Sequence, residues 1–361
     1  MNRTSLLHRT LTFALLIGFA FSLPGPLSFT PALEAASASA SVRIIKKLKK
    51  QVKTLKRQLA AARAVPPLPP TPAPFIEMVT VGNPGNAVDP SDGDSFTDGT
   101  QNFGAVPYEY SIGKYEVTLE QYTAFLNAVA ETDVFSLYNA NMATDLNIAG
   151  IAQSGSSGSF VYSVIGTGTR PVTYVSWFDA ARFCNWLHNG RPTGAQDAAT
   201  TENGAYPLNG ATSGGLTITR NPGAKYWIPS DDEWYKAAYH DPRASSAGGP
   251  PGDDFYWLYP TGSDTAPTAE VPPGGANSAN FSSVVNALTL VGAYTGSAGL
   301  YGTFDQGGNV LEWNDTVISG SFRGLRGGSW DYSEDFLRSS FRVFDDPVGE
   351  FSNIGFRVAS P

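Results

Sequence analysis

The apolar positions of this chain fall into a few helix-spaced stretches and a larger number of short alternating ones. In residues 41–64, Ile45, Leu48, Val52, Leu55 and Leu59 recur at alternating steps of three and four. That is an a/d seam of about three heptads, which predicts a short coiled-coil helix. Three further helices are announced by their own start signals. Thr118 with Gln121 precedes a face made of Leu119, Tyr122, Phe125 and Val129. Ser176 with Asp179 precedes Trp177, Ala181 and Cys184, and Ser230 with Glu233 opens a third segment with Asp231 and Asp232 in its first turn. In each pair the hydroxyl can satisfy an orphan backbone N–H, and acids suit the positive end of a helix dipole. The pairs predict helices over 119–130, 177–188 and 231–239. Alternating runs predict extended segments over Phe75–Val81 and Tyr108–Val117, where Tyr108, Tyr110 and Ile112 alternate with polar neighbours. Residues 322–360 read as turn-linked strands that include 337–344 and 354–360. The pattern as a whole predicts an α+β domain with a separate helix ahead of it.

Composition sharpens this picture. With 38 glycines and 26 prolines the domain has to be loop-rich, which excludes a long helical bundle. Residues 132–169 are poor in charge, and their Ser-Gly centre at 154–159 reads as a surface excursion; 241–277 reads as a second loop region. Residues 1–40 have the layout of an export signal: Arg3 and Arg9, an apolar Leu11–Leu23, and Ala36-Ser37-Ala38 as a cleavage site. The apolar run is shorter than the about 20 residues of a membrane-spanning helix. The expected location is therefore secreted, periplasmic or cell-surface. A proline-rich linker at 65–75 marks a boundary, leaving residues 76–361 as the main domain.

Charge is distributed unevenly. Residues 41–64 carry nine Lys or Arg and no acid, yet the whole chain is at −8, so the main domain is strongly acidic. An acidic domain argues against nucleic acid as a partner, because phosphate contacts need a basic face. The basic helix is expected to self-associate through residues 45–59, or to touch an anionic surface such as lipid or wall polymer.

The inventory of reactive groups is short. Cys184 is the only cysteine, so no intramolecular disulfide or cysteine metal cluster can form, and its helical setting predicts a buried apolar role. The three histidines, His8, His188 and His240, show no metal-ligand spacing. Paired acids at Asp231-Asp232 and Asp345-Asp346 read as caps and turns. Trp313-Asn314-Asp315 resembles a calcium motif of C-type lectins in three residues only. The densest chemistry lies between Tyr301 and Trp330. There a glycine pair at Gly307-Gly308 is flanked by the carboxylates Asp305 and Glu312, and Arg326-Gly327-Gly328-Ser329-Trp330 follows. Carboxylates beside a tight turn that exposes carbonyls suit a hard divalent cation. The same residues also read as two plain glycine turns joining short strands, with Leu311, Trp313 and Trp330 in the core.

GGNVLEW, then RGGSW, then a closing IGFRVAS resembles the sulfatase-modifying-factor family, whose founding members are formylglycine-generating enzymes. YEVTLEQYTAFLNA (115–128), RPVTYVSWFDAARFCNWL (170–187) and IPSDDEWYKAAY (228–239) agree with it in order. The resemblance implies the formylglycine-generating-enzyme fold, which is C-type-lectin-like. It further implies a calcium site at Asp305, Gly308, Val310 and Glu312, set against a metal-free salt-bridged turn. A second family calcium site would begin at Asn280 and Phe281, but the residues that should complete it contain no acid. The family's enzymes oxidise a substrate cysteine with copper held by two cysteines shortly after R-G-G-S. Here the run Ser329–Arg338 keeps the serine and has no cysteine, so copper is not expected and neither is sulfatase activation by that chemistry. The family's iron-dependent sulfoxide synthases carry a histidine-rich module with no counterpart here. Two functions follow as expectations: a calcium-stabilised binding or scaffold protein, with exposed Tyr, Trp and Asn of its long loops taking a glycan or peptide ligand, or an oxidoreductase working through a non-cysteine site.

Overall fold

The computed structural model describes residues 42–56, 75–90, 102–320 and 322–361. The chain divides into two units, Met1–Pro72 and Ala73–Pro361. In the first, residues 42–56 form a helix, α1, whose Ile45, Leu48, Val52 and Leu55 are all exposed. The export signal, residues 57–64 of the expected coiled coil and the proline-rich linker lie outside the described residues. Among the described residues no helix is long and apolar enough to cross a membrane.

The second unit contains three helices where the capping pairs put them: α2 Leu119–Val129, α3 Trp177–His188 and α4 Asp231–Tyr239. All three capping boxes are complete, with the N3 side chain returning a bond to the N-cap backbone. The expected inner faces are buried, Cys184 included, and burial pushes its thiol well above the usual range.

Two larger sheets and two two-stranded ones carry the rest. β1 (Met78–Val81) pairs antiparallel with β2 (Tyr110–Gly113). A hairpin, β3 (Ile151–Ser154) and β4 (Val161–Val164), and a short parallel pair, β5 (Thr268–Ala269) and β6 (Ser278–Ala279), follow. β7 (Leu311–Ile318) and β8 (Phe322–Arg326) are the centre of a four-stranded sheet flanked by β10 (Ile354–Gly355) and β9 (Val343–Asp345). Finally β11 (Ala359–Ser360) returns to β2, giving the order β1-β2-β11. One apolar cluster joins α2, α3, β2, β7 and the last strands, centred on Tyr122, Phe125, Phe183, Trp313 and Phe356.

The turn at 154–159 is exposed as expected, while Leu137, Met142, Ile151 and Tyr162 elsewhere in 132–169 reach the core. Two expectations need correction. Residues 337–344 do not form one strand. Glu334–Leu337 is a 3-10 turn, and the carbonyls of Ser339 and Phe341 accept from Arg326 Nη1 at 2.9 Å each. A buried guanidinium has taken the backbone acceptors that a ladder would need. Exposed tryptophan for ligand binding is also absent: all seven tryptophans are buried or half-buried, because indole supplies the aromatic core of this loop-rich domain.

Candidate functional site

β7 begins directly after the Gly307-Gly308 turn and lifts Glu312 into the interior. Glu312 is fully buried, and both of its oxygens are engaged. Arg357, between β10 and β11, donates from Nη2 to Oε1 and from Nε to Oε2, each at 2.6 Å; Trp234 Nε1 of α4 adds a bond to Oε2 at 2.7 Å. Arg357 also reaches the carbonyls of Gly113 at 2.9 Å and Phe304 at 3.0 Å. A bidentate guanidinium that is itself bonded to backbone is the arrangement in which a buried ion pair can offset its desolvation.

Asp305, seven positions earlier, is in a different setting. Its Oδ2 accepts from Gly292 N at 2.6 Å, and burial pushes the carboxyl up to about 6. Close by is Glu116, from the strand-to-helix corner before α2. Glu116 is pushed well above the usual carboxylate range, first by burial and then by the negative charge of Asp305. Asn309 Nδ2 donates to Glu116 Oε1 at 3.0 Å, while Oε2 has no partner among the described residues. Two acids therefore oppose each other in a dry place with one oxygen unused. A cavity of about 10 Å³, lined by Asp305, Gln306, Ser278 and Tyr294 among others, adjoins Asp305, room for one water-sized occupant.

The four implied calcium ligands are thus divided. Among the described residues no donor reaches the carbonyls of Gly308 or Val310. Gly308 stands at φ +86, where a Cβ would collide with the carbonyl of Asn280. No three His, Cys, Asp or Glu side chains among the described residues gather tightly enough to hold an ion alone. Asp305, the two carbonyls and the unpartnered Glu116 oxygen are donors of the kind that a hard cation takes, carbonyls along with carboxylate. Glu312 is committed to Arg357. Asn280 and Phe281 do not form a separate cluster. The Asn280 carbonyl accepts from Asn309 N at 2.8 Å, its Nδ2 donates to Ala287 O at 2.9 Å, and Phe281 packs with Tyr259, Ala279 and Leu337.

The Arg326–Trp330 motif is built around charge. Arg326 pairs through Nε with Asp231, the first residue of α4, and Asp231 also receives Arg342 at 3.1 Å. Asp231 is therefore more than a first-turn acid. Ser329 is buried and donates to Asp331 Oδ1 at 2.6 Å. In the run after it, Tyr332, Phe336 and Phe341 pack ring on ring at 4.5 and 4.3 Å. Aromatic packing occupies the stretch where the family's enzymes place thiolates. In the lectin-like triplet, Asp315 pairs with Arg323 at 3.1 Å and Asn314 Oδ1 accepts from Thr316 N, while Asn314 Nδ2 is buried without a partner among the described residues.

Sequence reasoning missed Glu116 and Arg357. Each sits in a motif that was legible, YEVT and IGFRVAS, and each is a lone charge inside an apolar run, the signal of a buried partner.

Residues 77–361 match the family model described as sulfatase-modifying factor enzyme 1-like domain. Hercynine oxygenase of Mycolicibacterium thermoresistibile is 30% identical over 155 residues, which are 37% of this chain and 31% of that protein. Chaperone protein LppX of Paenibacillus barcinonensis is 25% identical over 266 residues, covering 69% of this chain and 79% of that one. The crystal structure of CarF aligns with 79% of this chain and 98% of its own, at 22% identity and a TM-score of 0.48. The chain spans about a third of the length of the hercynine oxygenases it matches. A family match over the entire main domain joins the ordered motifs and the mixed, loop-rich fold built on them, and the chain belongs to the sulfatase-modifying-factor family of formylglycine-generating-enzyme-like proteins.

Proposed function

We propose that this is an exported binding or scaffold member of the family, stabilised by calcium and without the copper-thiolate oxidase activity. The observation that carries the reading is the state of sulfur. The single cysteine is buried in α3 and held protonated by burial, whereas a copper(I) site needs accessible thiolate. The relative named a chaperone, matched over most of its length, supports binding without catalysis. Asp305, Glu116 and the carbonyls of Gly308 and Val310 would hold the calcium, whose contribution is to neutralise the opposed acids and fix the turn.

The test is incubation of the purified protein with a sulfatase-type peptide, with and without added copper, followed by mass spectrometry. No conversion of cysteine to formylglycine is expected; the mass loss of that conversion would refute the reading. The similarity to hercynine oxygenases favours a second reading, an oxidoreductase acting on an exported protein or small molecule through a site without cysteine.

Self-association through α1 belongs to the same proposal. Its apolar seam is exposed, and isolated helices of this length are marginal until such a seam is covered. Nine cations per chain oppose assembly at low salt, and screening over about 10 Å at 0.1 M relieves it. Sedimentation should show salt-promoted oligomers that Leu48→Ser with Leu55→Ser abolishes. A monomer at every salt concentration would leave the basic face as a contact for an anionic surface.

A further inference from the structure

A second region of the main domain has the form of a ligand site that the family motifs do not include. A cavity of about 350 Å³ opens between the 83–87 loop and the segment after α4. That is within the size range of small-molecule pockets. Phe255 and Tyr256 form an aromatic wall, Asp254 and Asn83 contribute oxygens, and His240 lines the cavity as well. No Lys or Arg is among the lining residues.

The Tyr301 hydroxyl lies 3.2 Å from Asn83 Oδ1 and 2.8 Å from His240 Nδ1. One nitrogen of the neutral ring is thus bonded to Tyr301, and Nε2 faces a ligand as acceptor or donor according to the tautomer. No partner for Nε2 exists among the described residues. The ring is fixed by stacking on Tyr301 at 8° between planes and by an edge contact with Tyr256 at 5.1 Å. Burial, assisted by Lys236, pushes His240 down to about 4, so the imidazole stays neutral across the physiological range. Lys236 Nζ is held by the backbone carbonyl of Asn83 at 2.8 Å and does not itself line the cavity.

Phe255 adds an independent sign. It is a large aromatic residue held at φ +66 and left more than a third exposed. That backbone region is costly for a bulky residue, and such outliers cluster at ligand sites. Hydrophobic burial does not explain it, since the residue is exposed and lines the cavity.

We infer that this cavity binds a neutral sugar ring, its C–H face on Phe255 and its hydroxyls hydrogen-bonded to Asp254, Asn83 and His240 Nε2. An aromatic plane beside several acceptors and no cation matches a ligand that is apolar on one face and rich in O–H donors on its edge. An anionic ligand would meet Asp254 with nothing to neutralise it. The inference rests on the binding reading above and names the ligand class for one site.

The experiment uses the full chain and titrates methyl β-D-glucopyranoside, methyl α-D-mannopyranoside and N-acetylglucosamine, followed by saturation-transfer NMR and calorimetry. Binding of at least one is expected, with ring C–H protons receiving the strongest transfer. Phe255→Gly should weaken that binding by about tenfold or more while the melting temperature stays level or rises, because glycine accepts φ +66 without strain. His240→Phe should also weaken it, with the fold monitored by the same melt. No binding of any of the three sugars, or binding that Phe255→Gly leaves unchanged, overturns the assignment. Neither result bears on the formylglycine assay or on the response to calcium, so failure of the sugar site is distinguishable from failure of the wider reading.

Discussion

Asp305 and Glu312 flank one turn and lead opposite lives. Glu312 meets a guanidinium that offers two parallel bonds, and its charge is settled inside the fold. Asp305 meets another acid, and burial has raised both. The difference teaches how to separate structural from ligand-binding carboxylates in this family domain. A buried acid that is fully paired belongs to the scaffold, and one that faces a like charge is asking for a proton or a cation.

The largest effect should come from breaking the settled half. Arg357→Met leaves Glu312 buried and unpaired, at a cost of about 3–5 kcal/mol. For a domain of this size that is a fall of roughly ten degrees in melting temperature. Adding Glu312→Gln to it should recover much of the loss. If Arg357→Met alone melts with the parent, Glu312 is not held as described.

Next comes pH, read through Asp179, the N3 acid of α3, which burial and then Glu350 push up to about 7. The unfolded chain loses this proton near pH 4, whereas the folded one keeps it to about 7. Between those values the folded state holds more protons, so this group makes stability fall as pH rises from about 4 to about 7, and adds no slope above. Asp179→Asn should flatten that part of a melting-temperature profile. An unchanged slope would mean that Asp179 titrates normally.

The smallest effect concerns the unsettled half. Calcium at 100 times its dissociation constant would add about 2.7 kcal/mol, a few degrees at this size. Chelation should lower the melting temperature, and calcium should restore it better than magnesium, since carbonyls and a flexible loop suit the larger ion. Asp305→Asn should remove the response. Asp315→Asn, whose partner is Arg323, should lower the baseline and leave the response in place. Glu312→Gln decides whether Glu312 shares the ion: a surviving response makes it Arg357's partner alone. A parent protein indifferent to chelator, with no metal by elemental analysis, would reduce Asp305 and Glu116 to a proton-sharing pair.

Much of the fold was legible because its signals are local. A capping box is written within four residues, and all three of them formed. The turn at Gly308 was legible for the same reason. What the sequence hid is the long-range pairing of buried charge. Nothing local tells that Arg357 will meet Glu312, that Asp231 will be shared by Arg326 and Arg342, or that Glu116 will face Asp305. The tryptophans misled in the same manner: their number was plain, but whether an indole lines a loop or fills a core depends on partners far away in the chain.

The return of β11 to β2 has a kinetic meaning. Arg357 bonds the carbonyl of Gly113 across 244 positions, and in the same embrace neutralises Glu312. The first sheet of the domain therefore waits for a strand synthesised long after it, and at about 5–20 residues per second that wait is tens of seconds. Until then β2 has an open edge and Glu312 has no counter-ion. High contact order of this kind slows folding and lengthens the exposure of unpaired strand. The nascent domain is thus kept unlocked by its own topology, and its last turn of sequence is the latch.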